Sequence, residues 1–487
     1  MFKLILYKEL REIIGSKKFA VTFGICSILI ILAFYSGIEN YKTGVQEYNA
    51  SAAAALMRYE KYTEWNRVTS HQVFLKPEPL AYLVMGVSND LGRTAGINGR
   101  NTPTAGKSIY SQQPVFAVFR FLDLEFVFRI VLSLFAVLFA YDAVNGEKER
   151  GTLRLSFANP VPRAGYILGK LAGTFLALAL PLLVPILTGV LLLPLMGVSL
   201  SPDEWTRLGM FITTGLLYLG VFLTLSVSVS CFTQHSSSAF LFLLVIWVFS
   251  VLIIPRASVL LAGSMVDVPT IEEINYKRVL LMKQNTAELI NRLSEFSRKT
   301  YEEPMKSGVF DPAARDRARD SVSSFLDKIG QENNKRLEDL TDRLNEDRHN
   351  KQDQQKRLAF GIARISPTAS FNLASTSLCG TSLDLKDHFI KQATDYSRSF
   401  GAFIRSKTGY EVGSLAHIYN DAAARTAGIK KAPSEPINTG EIPEFRFKSK
   451  ALPEILGNTL PDLAILILFN IIFFSAAFLS FLRYDLR

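Results

Sequence analysis

The stretch FVFRIVLSLFAVLFAYDAVNGEKERGTLRLSFANPVPRAGYILGKLAGTFLALAL, residues 126–180, decides how this chain folds. Two apolar runs flank one short charged segment, GEKERGTLRL at residues 146–155. A run of about 20 apolar residues crosses a bilayer as a helix. A charged, helix-favouring segment between two such runs therefore lies at the membrane surface, where a soluble partner can grip it. A helix here would present Glu147, Lys148, Glu149, Arg150 and Arg154 to that partner, with Gly151 and Thr152 permitting a turn. Asn159, Pro160, Val161, Pro162 and Arg163 close the segment before the next run.

Working outward, the same apolar signature recurs. Spans are expected at residues 19–37, 124–143, 166–198, 208–232 and 238–263, and a sixth within 458–487 followed by a short tail. The third carries Pro181, Pro185 and Pro194, which membrane helices tolerate when neighbours re-satisfy the backbone. Residues 1–18 place Leu4, Ile5, Leu6, Ile13 and Ile14 beside Lys3, Lys8, Arg11, Lys17 and Lys18, the pattern of a basic amphipathic helix in the interface. The long basic flank and the absence of a small-residue cleavage site argue against a cleaved signal peptide. The expected fold is an all-α polytopic membrane protein, with a mainly helical domain outside the membrane.

Composition agrees. A mean hydropathy of +0.19 with 48% hydrophobic residues is too apolar for an average soluble protein, and 20% charged residues are too many for a bare helix bundle. Lysine and arginine concentrate before the first run, at Lys148, Arg150, Arg154, Arg163 and Lys170, and at Arg483 and Arg487, while the 199–207 loop has only Arg207. That asymmetry places both termini and segment 144–165 in the cytoplasm. It leaves two long insertions, 38–123 and 264–457, outside. The net charge of +10 is then a positive-inside excess, and no nucleic-acid partner is implied.

In the second insertion, residues 271–298 and 312–364 carry apolar positions at helical spacing amid dense charge, which reads as a long antiparallel helical hairpin. Such a hairpin either supports its domain or serves as a docking arm for an extracytoplasmic protein partner. Residues 385–405 form a further amphipathic helix presenting Phe389, Tyr396, Phe400 and Phe403.

Other chemistry is sparse. NTPTAGKS at residues 101–108 lacks the first glycine of a phosphate-binding loop and sits in a Gly-rich outside loop, so the chain itself is not expected to hydrolyse ATP. His71, His235, His349, His388 and His417 do not pair with one another or with Cys26, Cys231 or Cys379 at ligand spacing, so neither a metal nor a catalytic residue is expected. Arg129, Arg256 and Asp462 lie near span ends, where snorkelling is cheap. Thr224, Ser228 and Cys231 share one face of the fourth span, as helix-packing residues do.

GEKERGTLRLSFANPVPRAGYILGK closely resembles the coupling-helix region of ABC-2-type exporter permeases: Glu-Lys-Glu, then Gly-Thr-Leu, then Asn-Pro-Val leading to Arg, then Gly-Lys entering the next span. FRFLDLEFVFRIVLSLFAVLFAYDAV is similar to that family's second span. KPEPLAYLVMGVSNDLGR and ISPTASFNLASTSLCGTSLDLKDHFIKQATDYSRSF are similar to the branch with two extracytoplasmic insertions, which includes gliding-motility and nitrous-oxide-reductase-maturation permeases. The resemblance implies an N-terminal elbow helix and a permease subunit in the bacterial inner membrane. It implies pairing with a second permease copy, the same or related, and docking on a cytoplasmic ABC ATPase dimer. ATP and Mg would sit on the partner, leaving this chain without a cofactor. The contact would fall on Glu147, Lys148, Glu149, Arg150, Gly151, Thr152, Leu153 and Arg154.

Overall fold

The computed structural model describes residues 2–88, 90–98, 103, 105–106, 122–158, 162–302, 312–409, 412 and 436–483. Among the described residues six helices are long and apolar enough to cross a membrane: α2 (Lys17–Met57), α3 (Leu124–Glu149), α5 (Arg163–Leu195), α6 (Pro202–Phe232), α7 (Ser236–Met265) and α12 (Leu452–Arg483). They alternate in direction, so α1 (Phe2–Ile14), the short α4 (Thr152–Phe157) and the end of α12 gather at one end of the bundle, here called proximal. Helix α6 is the most buried, packing against α3, α5, α7 and α12. It starts with a capping box, Ser201 with Glu204, and a proline in its first turn. Helix α5 continues unbroken through all three of its prolines.

Helix α2 runs for 41 residues without a break. At 1.5 Å per residue it is about 60 Å long, roughly twice the hydrocarbon core, so its second half projects as a stalk at the distal end. A Cβ at Gly44 would meet the Tyr82 hydroxyl, which shows how closely the next segment lies against that stalk.

Both insertions build one distal domain. The first contributes an antiparallel sheet, β1 (His71–Phe74), β2 (Thr94–Ile97) and β3 (Ala105–Gly106), with His71 opposite Ile97. The second contributes α11 (Asp384–Thr408), whose Phe389, Ala393, Tyr396 and Phe400 pack with Val73, Ala95 and Ile97 in a separate apolar core. Of the phosphate-loop-like string only Pro103, Ala105 and Gly106 are described, the last two being the edge strand β3; Lys107 lies outside the described residues.

The expected hairpin is present as α8 (Ile271–Ser297) and α9 (Pro312–Ala363). Phe296 stacks on Phe325 at 4.1 Å, and Arg336 pairs with Glu288 at 2.9 Å. One element differs from the expectation that all of 264–457 stands clear of the spans. Helix α9 descends beside α7, turns at Ser366, and returns as the buried helix α10 (Pro367–Leu378) between α6 and α12. The turn is held by the Ser366 hydroxyl, which donates to the Ser250 carbonyl at 2.6 Å, and by a 3.0 Å bond between the Tyr218 and Thr368 hydroxyls. Ser250 lies 15 residues from the distal end of α7, about 22 Å along the helix. Ser250 belongs to a π turn, Phe249–Ile253, and a second π turn in α3 spans Val127–Leu132. The Arg364 guanidinium grips Asp462 with two bonds, of 2.7 and 3.0 Å, so this span-end acid faces a partner within the protein and not the interface.

Candidate functional site

The segment read as a partner-binding helix is the point where five helices are fastened together. The last turn of α3, Asn145–Glu149, ends at Gly151, whose φ of +70° is the left-handed conformation a glycine adopts most easily after a helix. Helix α4 then sets off in a new direction.

Glu147 was expected on the exposed face. It is only 4% exposed, which corrects that expectation. Its Oε1 accepts from Lys8 Nζ at 2.7 Å and lies 3.0 Å from Lys170 Nζ, and its Oε2 accepts from the Tyr166 hydroxyl at 2.5 Å. Lys170, itself 3% exposed, also donates to Glu9 at 2.9 Å. Two carboxylates and two ammonium groups thus form a neutral network joining α1, α3 and α5, in which Glu9, Glu147 and Lys170 are buried and Lys8 is half-exposed. A charge buried in apolar surroundings is tolerated only with such partners. Glycines bring the helices close enough: a Cβ at Gly169 would lie 3.0 Å from Ile5, and one at Gly173 would lie 2.8 Å from Glu9. This is the small-xxx-small spacing that lets membrane helices approach.

The next two residues turn to other helices. Lys148 Nζ donates to the carbonyls of Cys231 and Thr233 at 2.6 and 3.2 Å, a cation on the C-terminal end of α6. Glu149 accepts from the Ser236 backbone N–H at 2.9 Å and from its hydroxyl at 2.7 Å, an anion on the N-terminal end of α7. Asn145 completes the joint: its N–H and that of Val144 donate to Ser230 Oγ at 3.0 and 2.9 Å, and its amide donates to Thr233 Oγ1 at 2.9 Å.

Leu153 is buried as well, so it too departs from the expected contact face. The surface left facing outward comprises Glu149, Arg150, Gly151, Thr152, Arg154 and Leu155, the last 72% exposed. Phe157 anchors α4 from behind, with Tyr166 and Phe481 stacked on each other at 5.1 Å beside it. Residues 159–161, read as closing the segment, lie outside the described residues.

Sequence reasoning missed Lys8, Glu9, Tyr166 and Lys170 as network members, and Leu155 as the apolar centre of the outer face. A lysine one turn inside an apolar run is the one available signal, and the positive-inside pattern absorbs it.

The model of the ABC-2 family of transporter proteins matches residues 4–486. The chain is 36% identical over 125 residues to a probable ABC transporter permease protein NosY from Stutzerimonas stutzeri, covering 25% of this chain and 45% of that protein. It is 35% identical over 132 residues to the protein of the same description from Pseudomonas aeruginosa, covering 26% and 46%. The matched stretch thus spans less than half the length of either relative.

Proposed function

The chain belongs to the ABC-2 family of transporter proteins, and from that premise we propose that it is the permease subunit of a bacterial ABC export complex in the inner membrane. Separate cytoplasmic ATPase subunits would bind ATP and Mg and drive it, and a second permease copy would complete the membrane part. The proximal end, with both termini, faces the cytoplasm.

The observation that carries this reading is the joint at residues 145–149. Force applied to Arg150, Thr152, Arg154 and Leu155 passes through adjacent residues into α1 and α5, the end of α6 and the start of α7. A surface patch held by so many spans is suited to moving them together, a two-state rearrangement biased by nucleotide on the partner.

The test is a double change on the outer face, Arg150→Glu with Leu155→Asp. Both side chains are exposed, so insertion should be unaffected. Loss of an interfacial charge contact costs about 2 kcal/mol or more, a roughly thirtyfold loss of affinity for the ATPase. Unchanged co-purification of the ATPase would remove the assignment.

One observation favours a second reading, in which nothing crosses and ATPase motion is passed to an extracytoplasmic protein. Helix α9 links the distal hairpin directly to Ser250 of α7 and Asp462 of α12 through its foot. Imaging the complex with and without nucleotide separates the two: transport requires a cavity opening between permease copies, whereas mechanical transmission leaves that interface closed and lipid-filled.

A further inference from the structure

We propose that His349, Asp353 and Asp387 form a zinc-class divalent metal site that clips the long helix α9 to the distal domain. The three side chains come from two helices, and one donor atom from each lies within 4.8 Å of the others. His349 and Asp353 are one turn apart on α9, and Asp387 is in the first turn of α11.

The three donor atoms fall within 4.8 Å of one another, and one of the separations matches a coordination shell. His349 Nε2 and Asp353 Oδ2 are 3.5 Å apart. That is beyond the roughly 2.7–3.2 Å of an N–H···O hydrogen bond. It is close to the edge of a tetrahedron built on metal–ligand bonds of about 2.0–2.1 Å, which is roughly 3.3–3.4 Å. Among the described residues neither carboxylate is paired with a lysine or arginine, although Lys356 and Asp384 pair on the same two helix faces. Two carboxylates brought together without a cation repel each other, and a divalent ion between them reverses the sign of that interaction.

The donor set selects the ion. One imidazole nitrogen with two carboxylate oxygens suits zinc and its first-row neighbours, while calcium takes six to eight oxygens. His349 and Asp387 are exposed, so water can fill the fourth position. The placement gives the ion a structural role. Positions 349, 353 and 356 share one face of α9, and 384 and 387 share one face of α11. Bound metal would therefore continue the seam begun by Lys356 and Asp384, fastening the hairpin to the helix that supplies Phe389, Tyr396 and Phe400 to the distal core. The expectation of no metal considered histidine and cysteine pairs only; a carboxylate ligand 38 residues beyond the histidine leaves no local spacing to notice.

The full-length chain, purified in detergent without a polyhistidine tag and stripped with chelator, is dialysed to equilibrium against Zn2+. One Zn2+ per chain should be retained, and it should raise the unfolding temperature. His349→Ala and Asp387→Asn should each weaken binding about tenfold or more and abolish the thermal shift. Their metal-free unfolding should match the metal-free parent. Asp395→Asn, elsewhere on α11, should behave as the parent. Failure of the parent to retain one Zn2+, or retention by both ligand variants, overturns the proposal.

Discussion

Replacing Lys170 by methionine tests the buried network most directly. Methionine fits the lysine stem but supplies no charge. Glu147 would keep its bonds from Lys8 and Tyr166. Glu9, 6% exposed, pairs with Lys170 alone among the described residues and would be left without a cation. Stranding one member of a buried pair costs about 3–5 kcal/mol. Neutralising Glu9 as well removes the stranded charge, so Glu9→Gln with Lys170→Met should return to within about 1 kcal/mol of the parent. That recovery of about 2–4 kcal/mol, added to the cost of Glu9→Gln alone, is the coupling energy between the two positions. Unfolding by SDS titration from mild-detergent micelles reads all four members of the cycle. A Lys170→Met variant within about 0.5 kcal/mol of the parent, the range of ordinary surface changes, would show that the network does not hold α1 to α5. A double variant no better than the single would refute the charge argument specifically.

Gly173→Val should push α1 away from α5, because its Cβ would lie 2.8 Å from Glu9 Cβ; the expected loss is about 1–3 kcal/mol in the same titration, with α1 becoming sensitive to protease. His71 sits buried between Tyr59 and Phe400, and burial pushes its pKa down to about 4. The folded distal domain therefore binds fewer protons than the unfolded chain between pH about 6.5 and 4, so stability is present above that window and falls as pH drops through it, by on the order of 3 kcal/mol. His71→Phe should flatten the dependence, measured by hydrogen exchange of the distal domain, and an unchanged profile would exclude His71 as its source. For orientation, Ser399→Cys should react with an impermeant thiol reagent applied to intact cells and Ser156→Cys should not; labelling at Ser156 would invert the arrangement.

Much of the fold is legible because each signal is local. Six apolar runs yield six long helices, and the 3–4 spacing in 271–298 and 312–364 yields α8 and α9 almost to the residue. Helix α10 escapes for a physical reason. Its sequence PTASFNLASTSL is short and rich in hydroxyls, which reads as surface, yet Thr368, Ser370, Ser375, Thr376 and Phe371 are buried in a helix packed against α6 and α12. Ser366 and Thr368 find partners in Ser250 and Tyr218, more than 100 residues away. The site shows the same limit. Its location and its resemblance to ABC-2 permeases are visible in GEKERGTLRL, but a glutamate in a charged string reads as solvated. Only the fold brings Lys8 from 139 residues upstream to meet it.

The 52-residue length of α9 sets a mechanical gain. At 1.5 Å per residue the rod is about 78 Å long, and its foot is pinned by Arg364 to Asp462 and by Ser366 to Ser250. A tilt of only about 5° at that foot would swing the far tip by roughly 7 Å. Side-chain-sized adjustments between α7 and α12 would thus emerge at the hairpin tip as a displacement comparable to more than one helical turn.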